Sequence, residues 1–165
     1  MKRFLSFFLS LIPAVLCMIL IFCLSSQTAD VSSETSGGVI KNVLSLLPIG
    51  FERMTSERQA QLIESCQFVV RKGAHFSIYA LLGILYIPPM HILFRQKKSA
   101  PFAAWILSFL YAISDEIHQK YVPGRSCELR DVIIDSAGAA LGILIVCTII
   151  GAVMERKQNQ KERCL

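Results

Sequence analysis

Charge is what this sequence lacks. Of 165 residues only 18% are Asp, Glu, Lys or Arg, where a soluble domain carries about 25%. Hydrophobic residues make up 53%, and mean hydropathy is +0.52. A chain this small cannot hide so much apolar surface in one aqueous core, because the buried fraction rises only slowly with size. The same shortage of charge excludes intrinsic disorder. Cysteine is sparse as well: six in 165 residues is too dilute for a disulfide-stapled secreted module. Neither H-E-x-x-H nor C-x-x-C occurs, so these specific metal signatures are absent. No basic stripe interleaves with aromatics, which argues against a nucleic-acid partner. There is no internal repeat and no domain boundary within 1–165. What is left is an all-α, polytopic membrane protein in a single domain.

Four stretches approach the roughly 20 apolar residues needed to cross a bilayer. Phe4–Leu24 has no charge and is interrupted only by Pro13. It is too long for a signal-peptide core of about 7–15 residues, so it reads as an anchor. The second span falls within 67–94, where Pro88-Pro89 either kinks or stops it. The third is expected at about 101–117, opening on Pro101, a favourable first helical residue. It leaves the apolar register at Ser114-Asp115-Glu116-Ile117-His118-Gln119. The fourth runs over 132–154 and carries Asp135.

Basic residues give an orientation. With the N-terminus inside, the cytoplasmic side holds nine Lys/Arg (Lys2, Arg3, Arg95, Lys97, Lys98, Arg156, Lys157, Lys161 and Arg163) against Glu155 and Glu162. The inner side is then +7 and the outer side −2, as the positive-inside rule requires. Both termini are expected on the cytoplasmic side. The long outer segment, 25–70, is polar. Val39, Ile40, Val43, Leu44 and Leu47 suit a short helix lying on the membrane surface. Ser56 with Gln59 reads as a capping box for a helix that runs into span two.

On this topology the ionisable residues gather at one side. Arg71, Lys72 and His75 lie at the outer end of span two; Ser114, Asp115, Glu116, His118 and Gln119 end span three. Lys120, Arg125, Glu128 and Arg130 fill the loop, and Asp131 and Asp135 open span four. Arg71, His75 and Tyr79 form one i, i+4, i+8 stripe, and Tyr111, Ser114, Asp115 and His118 another. Glu116 points elsewhere, within pairing reach of Lys120. Gly138 and Gly142 form a G-x-x-x-G face that lets another backbone approach, so Asp135 faces a helix or a polar cavity. Two chemistries suit the set. One is an anion clamp of Arg71, Lys72, Arg125 and Arg130. The other is acid/base or metal-assisted work by His75, Asp115, His118, Asp131 and Asp135. A third reading has these charges pair across helices only to hold the bundle. His91, Trp105 and Tyr86 read as interfacial or bundle residues. Cys66 and Cys127 share the outer side, which leaves a disulfide open to them.

Several stretches resemble the VanZ family. They are Phe68-Val-Val-Arg-Lys-Gly-Ala-His-Phe-Ser-Ile-Tyr-Ala-Leu-Leu-Gly83 and Ser114-Asp-Glu-Ile-His-Gln119, followed by Val122-Pro-Gly-Arg125, Arg130-Asp131, Asp135-Ser-Ala-Gly138 and Gly142. Leu24-Ser-Ser-Gln27 and the Ser-rich Ser32–Ser36 fit the same pattern, so the likeness covers roughly residues 10–150. It implies a four-span bacterial membrane protein whose motif residues share one face. The family's namesake is linked to resistance to the glycopeptide teicoplanin, while many members have no assigned activity. The expectation is an outward-facing pocket for a membrane lipid, in particular an anionic lipid headgroup or a lipid-linked wall precursor. Arg71, Lys72 and Arg125 would hold the anion, with Tyr79, Ser114 and Gln119 lining the site. His75, Asp115, Glu116 and His118 would orient or activate it, and Asp131 and Asp135 would position the basic groups. The alternatives are a membrane enzyme acting on a headgroup, and a structural or assembly partner using the Gly138/Gly142 face. The sequence does not decide a metal, a cofactor or an oligomeric state.

Overall fold

The computed structural model describes residues 2–94 and 99–163. Arg95, Lys97, Lys98 and Cys164 lie outside the described residues. The described chain is helical, with no strand: α1 (Lys2–Ser25), α2 (Ala29–Leu46), a 3-10 turn (Phe51–Arg53), α3 (Ser56–Leu93), α4 (Ser99–Gln119) and α5 (Leu129–Arg163). Among the described residues three helices, α1, α3 and α5, are long and apolar enough to cross a membrane. The 21-residue α4 has the length but closes on Asp115, Glu116, His118 and Gln119, which cost it apolarity.

α3 joins the helix expected from Ser56 to span two without a break, and α5 exceeds its expected bounds at both ends. α3 is continuous over 38 residues, about 57 Å at 1.5 Å per residue, nearly twice a hydrocarbon core of roughly 30 Å. Pro88 and Pro89 fall in its last turns and do not stop it before Leu93. Its final carbonyls, at Ile92 and Leu93, accept from the Arg3 guanidinium. This ties the start of α1 to the end of α3. At the other end the cap is Thr55, one residue before the expected Ser56: its side chain accepts from the Arg58 N–H. Gln59 reaches back to the Phe51 and Met54 carbonyls. α5 likewise runs past Met154 to Arg163.

The bundle packs through small residues. α4 buries Ala100, Ala104, Ser108 and Ala112 at four-residue spacing, which allows the close backbone approach that lipid-embedded helices use in place of hydrophobic burial. α3 and α5 come closest. A Cβ at Gly138 would lie 2.2 Å from the Phe76 carbonyl oxygen, and one at Gly142 2.2 Å from that of Ala80. The G-x-x-x-G face is therefore filled by α3 of the same chain, not left for a separate partner. Outward, the helices are apolar: Phe4, Phe102, Ile133 and Leu144 are each at least 60% exposed.

The outer segment is a docked helix, not a free surface one. α2 begins at Ala29, capped by Thr28. It lays Ile40 and Leu44 with Phe51 against Met54, Leu62, Ile63 and Cys66. Val39 and Val43, from the expected apolar face, stay exposed. Cys66 and Cys127 are both free thiols, so the disulfide open to them is not formed.

Candidate functional site

The polar residues converge at one end of the bundle, where α1 and α4 finish, α5 begins and α3 passes through. Asp115, 3% exposed, is the centre. Its Oδ2 accepts from the Ser25 hydroxyl (3.0 Å), the Gln119 amide (3.2 Å) and the Tyr79 hydroxyl (3.3 Å). Three donors from three helices suffice to hold a buried carboxylate. Behind it, Asp135 is fully buried, and its Oδ2 lies 3.6 Å from His75 Nδ1.

Charge pairs close the rim. Lys72 bonds both carboxylate oxygens of Asp131. Arg130 bonds Glu128 at 2.9 Å and stands over the Phe68 ring at 4.9 Å, with the Lys72 ammonium 5.6 Å from the same ring. The Ser126 hydroxyl and Arg130 hold the Glu128 carboxyl below its ordinary range. Arg125 ties the α4–α5 loop down: it donates to the Gln27 carbonyl (3.1 Å) and the Gln119 side chain (3.3 Å). Burial, then the charge of Arg71, lower its guanidinium from the usual value. Arg71 itself makes no hydrogen bond or ion pair among the described residues.

Two cavities meet here. One, about 220 Å³, is lined by Arg71, Lys72, His75, Gln119, Arg130 and Asp131 among others. The other, about 360 Å³, runs between α1, α2 and α3 and is mostly apolar, with Ile21, Leu24, Val39, Val70 and Ile78 in its wall. Arg71, His75 and Arg125 line both. A polar chamber and an apolar one thus share a cationic partition.

The model for VanZ/LLP1 matches residues 8–151. The chain belongs to the VanZ/LLP1 family. No curated protein and no solved structure matches it. With its span-like helices it is a VanZ-like membrane protein.

The VanZ-like reading of individual residues divides. Arg71, Lys72, His75, Gln119, Arg125 and Asp131 line the polar cavity, with Asp115, Asp135 and Tyr79 directly behind. Three residues go elsewhere. His118 turns toward α1, sharing a hydrogen bond with Ser26 (3.0 Å) and stacking on Phe22. Ser114 is exposed and donates to the Tyr111 carbonyl. Glu116 is 1% exposed and does not pair with Lys120; its Oε2 accepts from the Glu128 N–H (2.8 Å), anchoring the α4–α5 loop. Trp105 donates to the Ser136 carbonyl and is a bundle residue. Ser25 and Phe68 are not among the residues singled out from the sequence. Both lie in the stretches that carry the family likeness.

Proposed function

We propose that this VanZ-like protein crosses the bacterial cell membrane four times, both termini inside, and binds an anionic, lipid-linked headgroup from the outer side. The carrying observation is the shared partition: Arg71, without a partner among the described residues, and Arg125 stand between a polar chamber and an apolar one. A phosphate or pyrophosphate would accept from the two guanidiniums, the headgroup filling the polar cavity and the first part of the chain the apolar groove. The exposed apolar face of α4, with Phe102, Leu110 and Ile117 outward, supports its crossing as well. The Arg3 contact to the end of α3 fits an N-terminus on the side opposite the site. By holding a wall precursor or an acidic phospholipid, the protein would alter sensitivity to glycopeptides of the teicoplanin type.

Binding is tested with the purified full chain in nanodiscs of phosphatidylcholine, titrated with phosphatidylglycerol or a polyprenyl pyrophosphate. Arg71→Ala should lower affinity about 10-fold or more, the weight of one charge-assisted hydrogen bond. Equal binding by wild type and Arg71→Ala refutes the reading. Orientation is tested on whole cells through Cys127, an exposed thiol in the α4–α5 loop. An impermeant maleimide should label it, with Cys127→Ser as the blank. Expression in a susceptible host, wild type against Arg71→Ala, tests the glycopeptide phenotype.

A further inference from the structure

The partition between the cavities uses arginines; behind it lies a different set of atoms with no assigned work. His75 on α3, Asp115 on α4 and Asp135 on α5 each offer one ligand atom, all within 4.8 Å of one another. Among the described residues five buried side-chain atoms have no hydrogen-bond partner: His75 Nδ1, Asp115 Oδ1, Glu116 Oε1 and both oxygens of Asp135. Four of the five belong to this one trio. Buried polar atoms are nearly always satisfied, so four orphans converging on one point ask for an occupant.

Charge says which kind. Asp115 and Asp135 are two carboxylates in a buried setting, 3% and 0% exposed. Among the described residues no Lys or Arg bonds to either. Lys72 is engaged by Asp131, Arg130 by Glu128, and Arg125 by Gln27 and Gln119. The one ionisable group beside Asp135 among the described residues is His75, at 3.6 Å, and buried carboxylates with so little cationic support are costly unless they coordinate a metal or take up protons.

The surroundings look prepared. Asp115 Oδ2 is occupied by Ser25, Tyr79 and Gln119, which fixes the carboxylate and leaves Oδ1 alone free. Outer donors orient metal-ligating carboxylates in just this manner. Close approach of α3 to α5, set by Gly138 against Phe76 and Gly142 against Ala80, brings the residues on either side of the crossing, His75 and Asp135, within reach.

We propose that His75 Nδ1, Asp115 Oδ1 and the Asp135 carboxylate form a binding site for one divalent cation of the Zn²⁺ or Mn²⁺ class. One imidazole and two carboxylates favour these over the all-oxygen preference of Mg²⁺ or Ca²⁺. Three protein ligands leave further positions open. His75 also lines both cavities, so the ion would sit next to a bound anionic headgroup. The cation site uses none of the arginine atoms of the headgroup reading and stands without it.

The test is metal binding by the purified full chain in detergent, stripped with chelator and titrated with Zn²⁺ and with Mn²⁺. The expected result is one ion per chain for at least one of them, with a rise in the thermal unfolding midpoint. Asp135→Asn and His75→Gln should each weaken binding about 100-fold or more, beyond the about 10–100-fold that loss of a group merely supporting a ligand costs. Arg71→Ala should keep the ion while losing phosphatidylglycerol, which separates this site from the headgroup reading. Should Asp135→Asn not fold, the wild type still decides. Pulsed electron paramagnetic resonance of bound Mn²⁺, or the absorption of a Co²⁺ substitute, must report one histidine nitrogen. Absence of stoichiometric binding, ligation without nitrogen, or undiminished affinity in folded Asp135→Asn overturns the proposal.

Discussion

Gly138 of α5 sits directly against the backbone of Phe76 in α3: an added Cβ would stand 2.2 Å from the Phe76 oxygen. No side chain can rotate out of such a clash, because the obstacle is a carbonyl in a continuous helix. The two helices must separate instead, and His75 and Asp135 separate with them. Gly138→Ala should therefore destabilise the folded chain by about 1–3 kcal/mol or more. Gly73→Ala, in open space on α3, should be neutral or slightly stabilising through helix propensity. Thermal unfolding of both variants in the same detergent checks the contrast.

Adjacent cations on α3 should behave oppositely. Lys72 holds Asp131 in a part-buried pair, so Lys72→Met strands a carboxylate. Its cost should fall between the about 1 kcal/mol of an exposed pair and the about 3–5 kcal/mol of a buried one. Arg71 has no such partner, and Arg71→Ala should leave stability within about 0.5 kcal/mol. Denaturation midpoints measured side by side would contradict this if Arg71→Ala proved the more damaging.

Tyr79→Phe and Ser25→Ala each remove one donor from Asp115 Oδ2. Hydrogen bonds to charged groups carry about 1.5–3 kcal/mol, and both donors are buried. Each variant should lose stability in that range. The double variant should lose more than the sum, since donors on one acceptor weaken each other and the survivor of each single change tightens. A double-mutant cycle by thermal unfolding reads this directly.

The start of α3 is held locally. Thr55→Ala removes its cap and should cost about 1 kcal/mol. Gln59→Ala frees the Phe51 and Met54 carbonyls. Hydrogen exchange should speed up in residues 56–60 and in the Phe51–Arg53 turn, while Tyr79 to Met90 stay protected.

Much of this was readable along the chain. Apolar runs gave α1, α3 and α5, since a bilayer imposes a length and a composition that local sequence must meet. Arg71, His75 and Tyr79 at four-residue spacing lie on one face of α3, and that needs only helical geometry. Distances between helices were another matter. Asp115 and His118 are both on the stripe expected to face the site, yet Asp115 goes to the centre and His118 to Phe22 and Ser26. A helix rotates about 100° per residue, so residues three apart on one stripe still differ by about 60°, enough to meet different partners. Glu116 shows the same limit, taking a loop N–H in place of Lys120.

The sequence by itself determined that the chain is helical, apolar outside, and charged toward one end, because composition and period are local properties. Tertiary structure alone decided which charges cancel and which do not. Lys72 met Asp131, Arg130 met Glu128, His75 came to face Asp135, and Arg71 was left without a partner among the described residues. That outcome depends on helix crossings a few ångströms wide, fixed by where Gly138 and Gly142 let two backbones touch.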